Sequence, residues 1–227
     1  MLSLSSSPYP GPFRAPHVGF GPPSRFGQFT QFQGAPALNL PSLHNGPNHS
    51  PQAGISDSPP TWFGPFRGPE TTISTMRRLC LGDRGERSLL VRGSVEYCTR
   101  GLIGKDYLSE ILAIRNFVAE RVRYMNDPVA VEWVKDPQRL IEEMTRHGLA
   151  IGDCDDLALL LATMARQLGR EAEFITVGFG RPNHFSHVFA RVKEPKTARW
   201  VILDPVASFK EAAMLARVTT WKSWKID

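Results

Sequence analysis

Leu157, Leu160, Leu161, Met164 and Leu168 recur at the i, i+3, i+4, i+7 spacing of one helical face, predicting a helix over 153–169 that is buried on one side. Asp153 is suited to cap its start, acids fill its first turn, and Gly169 suits its end. Beyond it the apolar period drops from 3.6 to 2. Three strands are predicted there, over 174–179, 186–192 and 200–203, separated by turns rich in Pro, Gly, Asn and Lys. In the second strand Val188, Ala190 and Val192 form the core face, with His187, Phe189 and Arg191 on the other.

Upstream, Leu108, Ile111, Leu112, Arg115, Val118 and Val122 fall at helical spacing and predict a long helix ending before Pro128, with Arg115 the break in its stripe. A shorter helix is predicted over Pro137–His147, with proline in its first turn and Gly148 past its end. Between Gly-rich turns at 82–85 and 101–104, residues 89–95 read as a short strand. Residues 209–217 predict a last helix, and 221–225 are amphipathic without a decisive period. Helices followed by adjacent strands point to an α+β domain with an antiparallel sheet.

Composition divides the chain. Residues 1–70 hold 14 of the 19 prolines and 9 of the 19 glycines, but only five charged residues. Such a stretch cannot bury enough apolar surface to offset its ordering entropy, so the folded domain is expected at 71–227. The first 70 residues form a Pro/Gly/Phe-rich extended arm that is nonetheless aromatic, with Tyr9, Phe13, Phe20, Phe26, Phe29, Phe32, Trp62, Phe63 and Phe66. Gly-Pro-Phe-Arg occurs in it twice, at 11–14 and 64–67. It reads either as a polyproline-like linker or as a docking arm whose rings fill pockets on an assembly partner; the aromatics favour docking.

The net charge of +5 is modest, with no Lys/Arg run of five or more, so nucleic acid is not an expected partner. No apolar run is long enough for a membrane span, and the opening residues lack a signal-peptide pattern, so a soluble cytoplasmic protein is expected. Three cysteines, Cys80, Cys98 and Cys154, are too few and too odd in number for a disulfide framework.

Cys154 stands at the polar start of the leucine-striped helix, off the stripe. There the free N–H groups and the helix dipole favour thiolate, which predicts a lowered thiol pKa and side chains of Asp155 and Asp156 turned away from the sulfur. His187, on the outer face of its strand, is suited to be its base, ahead of His184 in a turn-like stretch. Asp204, where a buried strand ends before Pro205, is suited to fix the imidazole tautomer. Asp153, Asp155 and Asp156 are expected to be splayed by the helix turn, and no metal or other cofactor is expected.

Gly152-Asp153-Cys154-Asp155-Asp156, His187-Val188-Phe189 and Trp200 to Pro205, with Val122-Arg123-Tyr124 closing a helix upstream, resemble the transglutaminase-like superfamily, of bacterial or phage type, over about residues 105–206. The resemblance implies a papain-like α+β core with the nucleophile helix packed on an antiparallel sheet. It implies that Cys154 attacks a peptide or carboxamide carbonyl, that His187 protonates the departing amine and that Asp204 orients His187. The backbone of Cys154 then supplies an oxyanion donor. Hydrolysis of a peptide or protein substrate, by a cysteine peptidase or deamidase, is favoured over transfer to a lysine amine. Phe189, Trp200 and Asp153 are the substrate-cleft candidates, and Phe189 replaces a tryptophan common in the family. Arg191, where an acid is frequent, bears on substrate preference. The alternative is an assembly protein, such as a virion-associated phage component, docked through its arm with the fold as a body.

Overall fold

The computed structural model describes residues 61–62, 68–128, 131–181, 184–206 and 215–227. All lie in one unit, Pro36–Asp227. Most of the aromatic arm and most of the predicted 209–217 helix fall outside the described residues.

Helix α5 (Cys154–Gln167) is the centre of the molecule. Asp153 caps it as predicted, its carboxylate accepting the Asp155 N–H at 3.2 Å. Its burial, however, is not one-sided: every residue from Asp155 to Ala165 is interior. Helices α1 (Pro69–Leu81), α2 (Leu89–Thr99), α3 (Tyr107–Arg121) and α4 (Pro137–His147) pack on it, and a sheet covers what remains. Ala158, Ala162 and Ala165, which a leucine stripe does not mark, are the flat surfaces that let those neighbours approach. Each fully buried Leu or Met here contributes about 1.5–3 kcal/mol.

The other helices divide by how much of their signal was local. Helix α4 has the predicted bounds: Asp136 accepts the Arg139 N–H at 2.9 Å, Pro137 opens the first turn, and Gly148 closes the helix at φ 78°. Residues 89–95, predicted as a strand, are instead the first two turns of α2. Ser88 caps it through the Val91 N–H, and Val91, Ser94 and Val95 turn inward at helical spacing while Leu89 stays 67% exposed. A seven-residue stretch with four apolar residues does not distinguish helix from strand; the cap does. In α3 the buried face is Ile111, Ile114, Phe117, Val118 and Arg121, while Leu108 and Leu112 of the predicted stripe are exposed. That helix carries apolar residues nearly all round, so the side facing α5 was a tertiary choice.

The main sheet has the order β7-β6-β5-β8, antiparallel throughout, from β5 (Ala172–Gly178), β6 (His187–Lys193), β7 (Trp200–Leu203) and β8 (Thr220–Lys225). The first three answer the predicted strands; β8 is the amphipathic tail, paired to β5 along its length. Trp224 donates its indole N–H to Thr176 at 2.9 Å, and Ile226 enters the core. Phe174, Val188, Ala190, Val192 and Leu203 face α5, and Ile175, Val177 and Phe189 form a smaller cluster on the opposite face. Two short ribbons complete the fold. Strand β1 (Thr61–Trp62) pairs antiparallel with β3 (Trp133–Val134), and β2 (Val122–Tyr124) pairs in parallel with β4 (Ala150–Gly152). Among the described residues no helix is long and apolar enough to cross a membrane.

Candidate active site

Cys154 is set in place from three directions. It is the first residue of α5; Gly152 before it is the last residue of β4, held against Tyr124 of β2, and the Gly152 carbonyl accepts the Met125 N–H at 3.0 Å. Position 152 has no room for a side chain, because a Cβ there would lie 2.8 Å from an Asp156 carboxylate oxygen. From the sheet, the backbone N–H of Val188 is directed at the Cys154 sulfur, which sets the sulfur one residue from His187.

The strand register explains the partner of His187. The last registered pair of β6 and β7 is Ala190 with Leu203, so one step further Asp204 comes level with Phe189, on the face that Phe189 shares with His187. From that diagonal position Asp204 Oδ2 lies 2.7 Å from His187 Nε2, and its Oδ1 accepts the Val206 N–H at 3.0 Å. An acceptor at Nε2 places the ring proton there and leaves Nδ1 as the nitrogen with a free lone pair. The Asp204 side chain is 1% exposed and that of His187 14%. Cys154, His187, Asp204, Phe189, Leu203 and Val206 line one small, shallow pocket.

The electrostatics differ from the expectation for a helix start. Burial first, and then the neighbouring Asp153 carboxylate, push the Cys154 thiol up to about 12, against the opposing pull of the Val188 N–H. The direction is opposite to the lowering expected at a helix start: desolvation and Asp153 outweigh the Val188 and Cys154 N–H groups. The thiol is not singled out by its acidity from the other two cysteines, since burial pushes Cys80 up to about 11 and Cys98 up to about 12.

Around the sulfur stands a set of carboxyl groups. Asp155 and Asp156 are both 2% exposed. Asp156 accepts the Lys135 N–H at 2.6 Å, whereas neither oxygen of Asp155 receives a donor among the described residues. Burial, and next Asp153, raise both well above the usual carboxylate range. Asp127 and Glu132 are raised as well, chiefly by burial. The helix turn does not splay Asp153, Asp155 and Asp156: one carboxylate oxygen from each falls within 4.8 Å of the others. Of the described residues this is the group with the geometry to hold a cation.

The cleft candidates part company. Asp153 adjoins the sulfur as the cap, and the Phe189 ring sits 6.1 Å from the His187 ring at 40°. Trp200 is not brought to the pocket. It pairs with Lys193, six residues along β6 from His187 and so about 20 Å away, where its ring lies under the Arg191 guanidinium at 4.4 Å. The exposed His184 does not line the pocket. The Val188 N–H escaped the sequence reading, and Tyr124, noted there only as part of the Val122-Arg123-Tyr124 segment of the resemblance, was given no role in the site; burial and the negative groups around the nucleophile raise its phenol. A parallel pairing of two three-residue strands brings Tyr124 there, and no local pattern announces such a pairing.

Residues 97–205 match the sequence model described as transglutaminase-like superfamily. Among solved structures, a candidate protease from Parabacteroides distasonis is similar, at 14% identity and a TM-score of 0.46, covering 63% of this chain and 28% of that one. The chain thus spans little more than a quarter of that protein's length. No curated protein matches the chain.

Proposed function

We propose that this chain, whose residues 97–205 match the model of the transglutaminase-like superfamily, cleaves peptide or carboxamide bonds through Cys154, with His187 as base and acid and Asp204 as its positioning residue. The observation that carries this reading is the 2.7 Å contact between His187 Nε2 and Asp204, made in the pocket that Cys154 also lines.

A protonated resting thiol determines the order of events. His187 Nδ1 takes the thiol proton as the sulfur bonds to the carbonyl carbon, not beforehand, and the carbonyl electrons move onto oxygen. The backbone N–H of Cys154 is a donor for that oxyanion. Collapse breaks the carbon–nitrogen bond, and the imidazolium returns its proton to the departing amine, leaving a thioester. His187 then deprotonates a water that attacks the thioester, and the sulfur leaves with the proton. Through both halves Asp204 holds the proton of His187 on Nε2 and balances the imidazolium charge. The buried, low-dielectric surroundings make each of these interactions stronger than in water.

Mass spectrometry of peptides incubated with the protein and with Cys154→Ala tests the reading. Products in which an amide has become an acid, absent from the variant, are the expected result. Identical spectra across a broad peptide library count against it, and products in which an amine has replaced the amide nitrogen would redirect it to cross-linking.

A further inference from the structure

We propose that the edge of β3 is a docking rail for an extended stretch of peptide substrate, and that Thr61–Trp62 of the chain's own arm holds that place when substrate is absent. The kind of occupant rests on the function proposed above; the rail itself rests on the pairing and on how β3 is anchored.

Strand β3 pairs with β1 in a two-stranded ribbon, Thr61 opposite Val134 and Trp62 opposite Trp133. Successive residues of a strand turn their N–H and C=O groups to opposite edges. The Trp133 N–H is taken by Asp127 at 2.5 Å, so Val134 is the residue whose backbone groups face Thr61. The rail is fixed to the nucleophile. The Val134 side chain is fully buried, the next N–H, of Lys135, is held by Asp156 two residues after Cys154, and Lys135 Nζ is bound to the Ile151 carbonyl. Followed toward its N-terminus, the edge leads to Glu132, whose carboxylate lies close enough to bear on the Cys154 sulfur. A strand laid on β3 therefore lies near the nucleophile.

The flanking residues make the arm a weak occupant. Pro59 and Pro60 precede the paired residues, and Gly64 and Pro65 follow Phe63. Proline offers no N–H to a ladder, so this sequence is poorly suited to a long one. A longer extended peptide, free of proline, makes more backbone hydrogen bonds along the same edge and displaces it, which is strand addition as used by peptide-binding domains. The short ribbons and the residue that follows β2 carry exposed apolar side chains: Trp133, Ile151, Tyr124 and Met125 are 36%, 42%, 40% and 57% exposed.

The test uses full-length Cys154→Ala protein, in which turnover is removed, with and without Thr61→Pro. The probe is a synthetic peptide carrying residues 60–64. Hydrogen exchange at the Val134 amide should be about tenfold faster in the Thr61→Pro protein. The peptide should bind that protein about tenfold more tightly than the parent and restore the protection. Trp62→Pro, which alters the neighbour whose backbone points to the other edge, should leave Val134 protected. Equal affinity for both proteins, no binding to either, or protection that falls elsewhere than β3 overturns the proposal. With Cys154 intact, Thr61→Pro should lower KM for a cleaved peptide at unchanged kcat. Absence of turnover in every form speaks against the triad, and the binding measurements still decide the rail.

Discussion

The two ends of β6 follow opposite electrostatic plans. Toward Lys193 the acids have their donors: the buried Glu173 accepts two N–H groups from Arg191, at 2.9 and 2.5 Å, Arg191 stacks on Trp200, Lys193 holds Glu171 at 3.0 Å, and Glu194 accepts the Lys196 and Thr197 N–H groups. Toward His187 the acids outnumber their partners. Asp127, Glu132, Asp153, Asp155 and Asp156 gather around Cys154, and Lys135 beside them is committed to Glu143 and to the Ile151 carbonyl. One end is arranged for stability. The other gives stability up to hold charged and polar groups together, a pattern that supports the function proposed above.

The sharpest way to break that contrast is to remove the base. His187→Ala should lower turnover by about a thousandfold or more, read as product by mass spectrometry, with the melting temperature little changed; Asp204→Asn should lose nearly as much, because an amide does not enforce the Nε2–H tautomer. At the paired end the effect should fall on stability instead. Glu173→Ala leaves Arg191 partly buried without its carboxylate and should cost about 3 kcal/mol in urea unfolding, with catalysis unaffected per folded molecule.

A smaller and opposite effect is expected at the crowded end. Asp155 has a folded-state pKa raised by burial and by Asp153, so the folded protein holds a proton that the unfolded chain releases. Its contribution to stability therefore falls as pH rises above the ordinary carboxylate range toward the folded value. Asp155→Asn removes the titration and should raise the melting temperature by a few degrees at pH 8, with a smaller gain near pH 4. A gain that does not depend on pH would show that packing, not charge, is what the substitution relieves. The smallest effect should come from Asp153→Asn, which keeps a good helix cap while deleting the charge that ranks second in raising the thiol. Alkylation of Cys154 by iodoacetamide should quicken about threefold to tenfold near pH 8, with Cys80 and Cys98 unchanged.

The paired end illustrates where reading residues in order runs out. Trp200 belongs to the apolar strand that delivers Asp204, and that membership suggested a place in the cleft; the antiparallel register instead sends the two ends of a four-residue strand to different neighbourhoods. The start of α5 illustrates the converse error. Its cap and dipole were legible and real, yet they are outweighed by the layers that close over the sulfur.

By itself the sequence determined whatever depends on a few consecutive residues: the capped helix beginning at Cys154, the bounds of α4, the three strands, and the positions of His187 on one of them and of Asp204 just past the end of another. Caps, turn residues and apolar periods act within one or two turns of chain, so they can be read locally. Only the tertiary structure decided that α5 is enclosed on all sides, that 89–95 is helical, that the tail is a fourth strand, and that the thiol is raised. Those outcomes are set by burial and by register between distant segments, sums over many neighbours that no short stretch of chain contains.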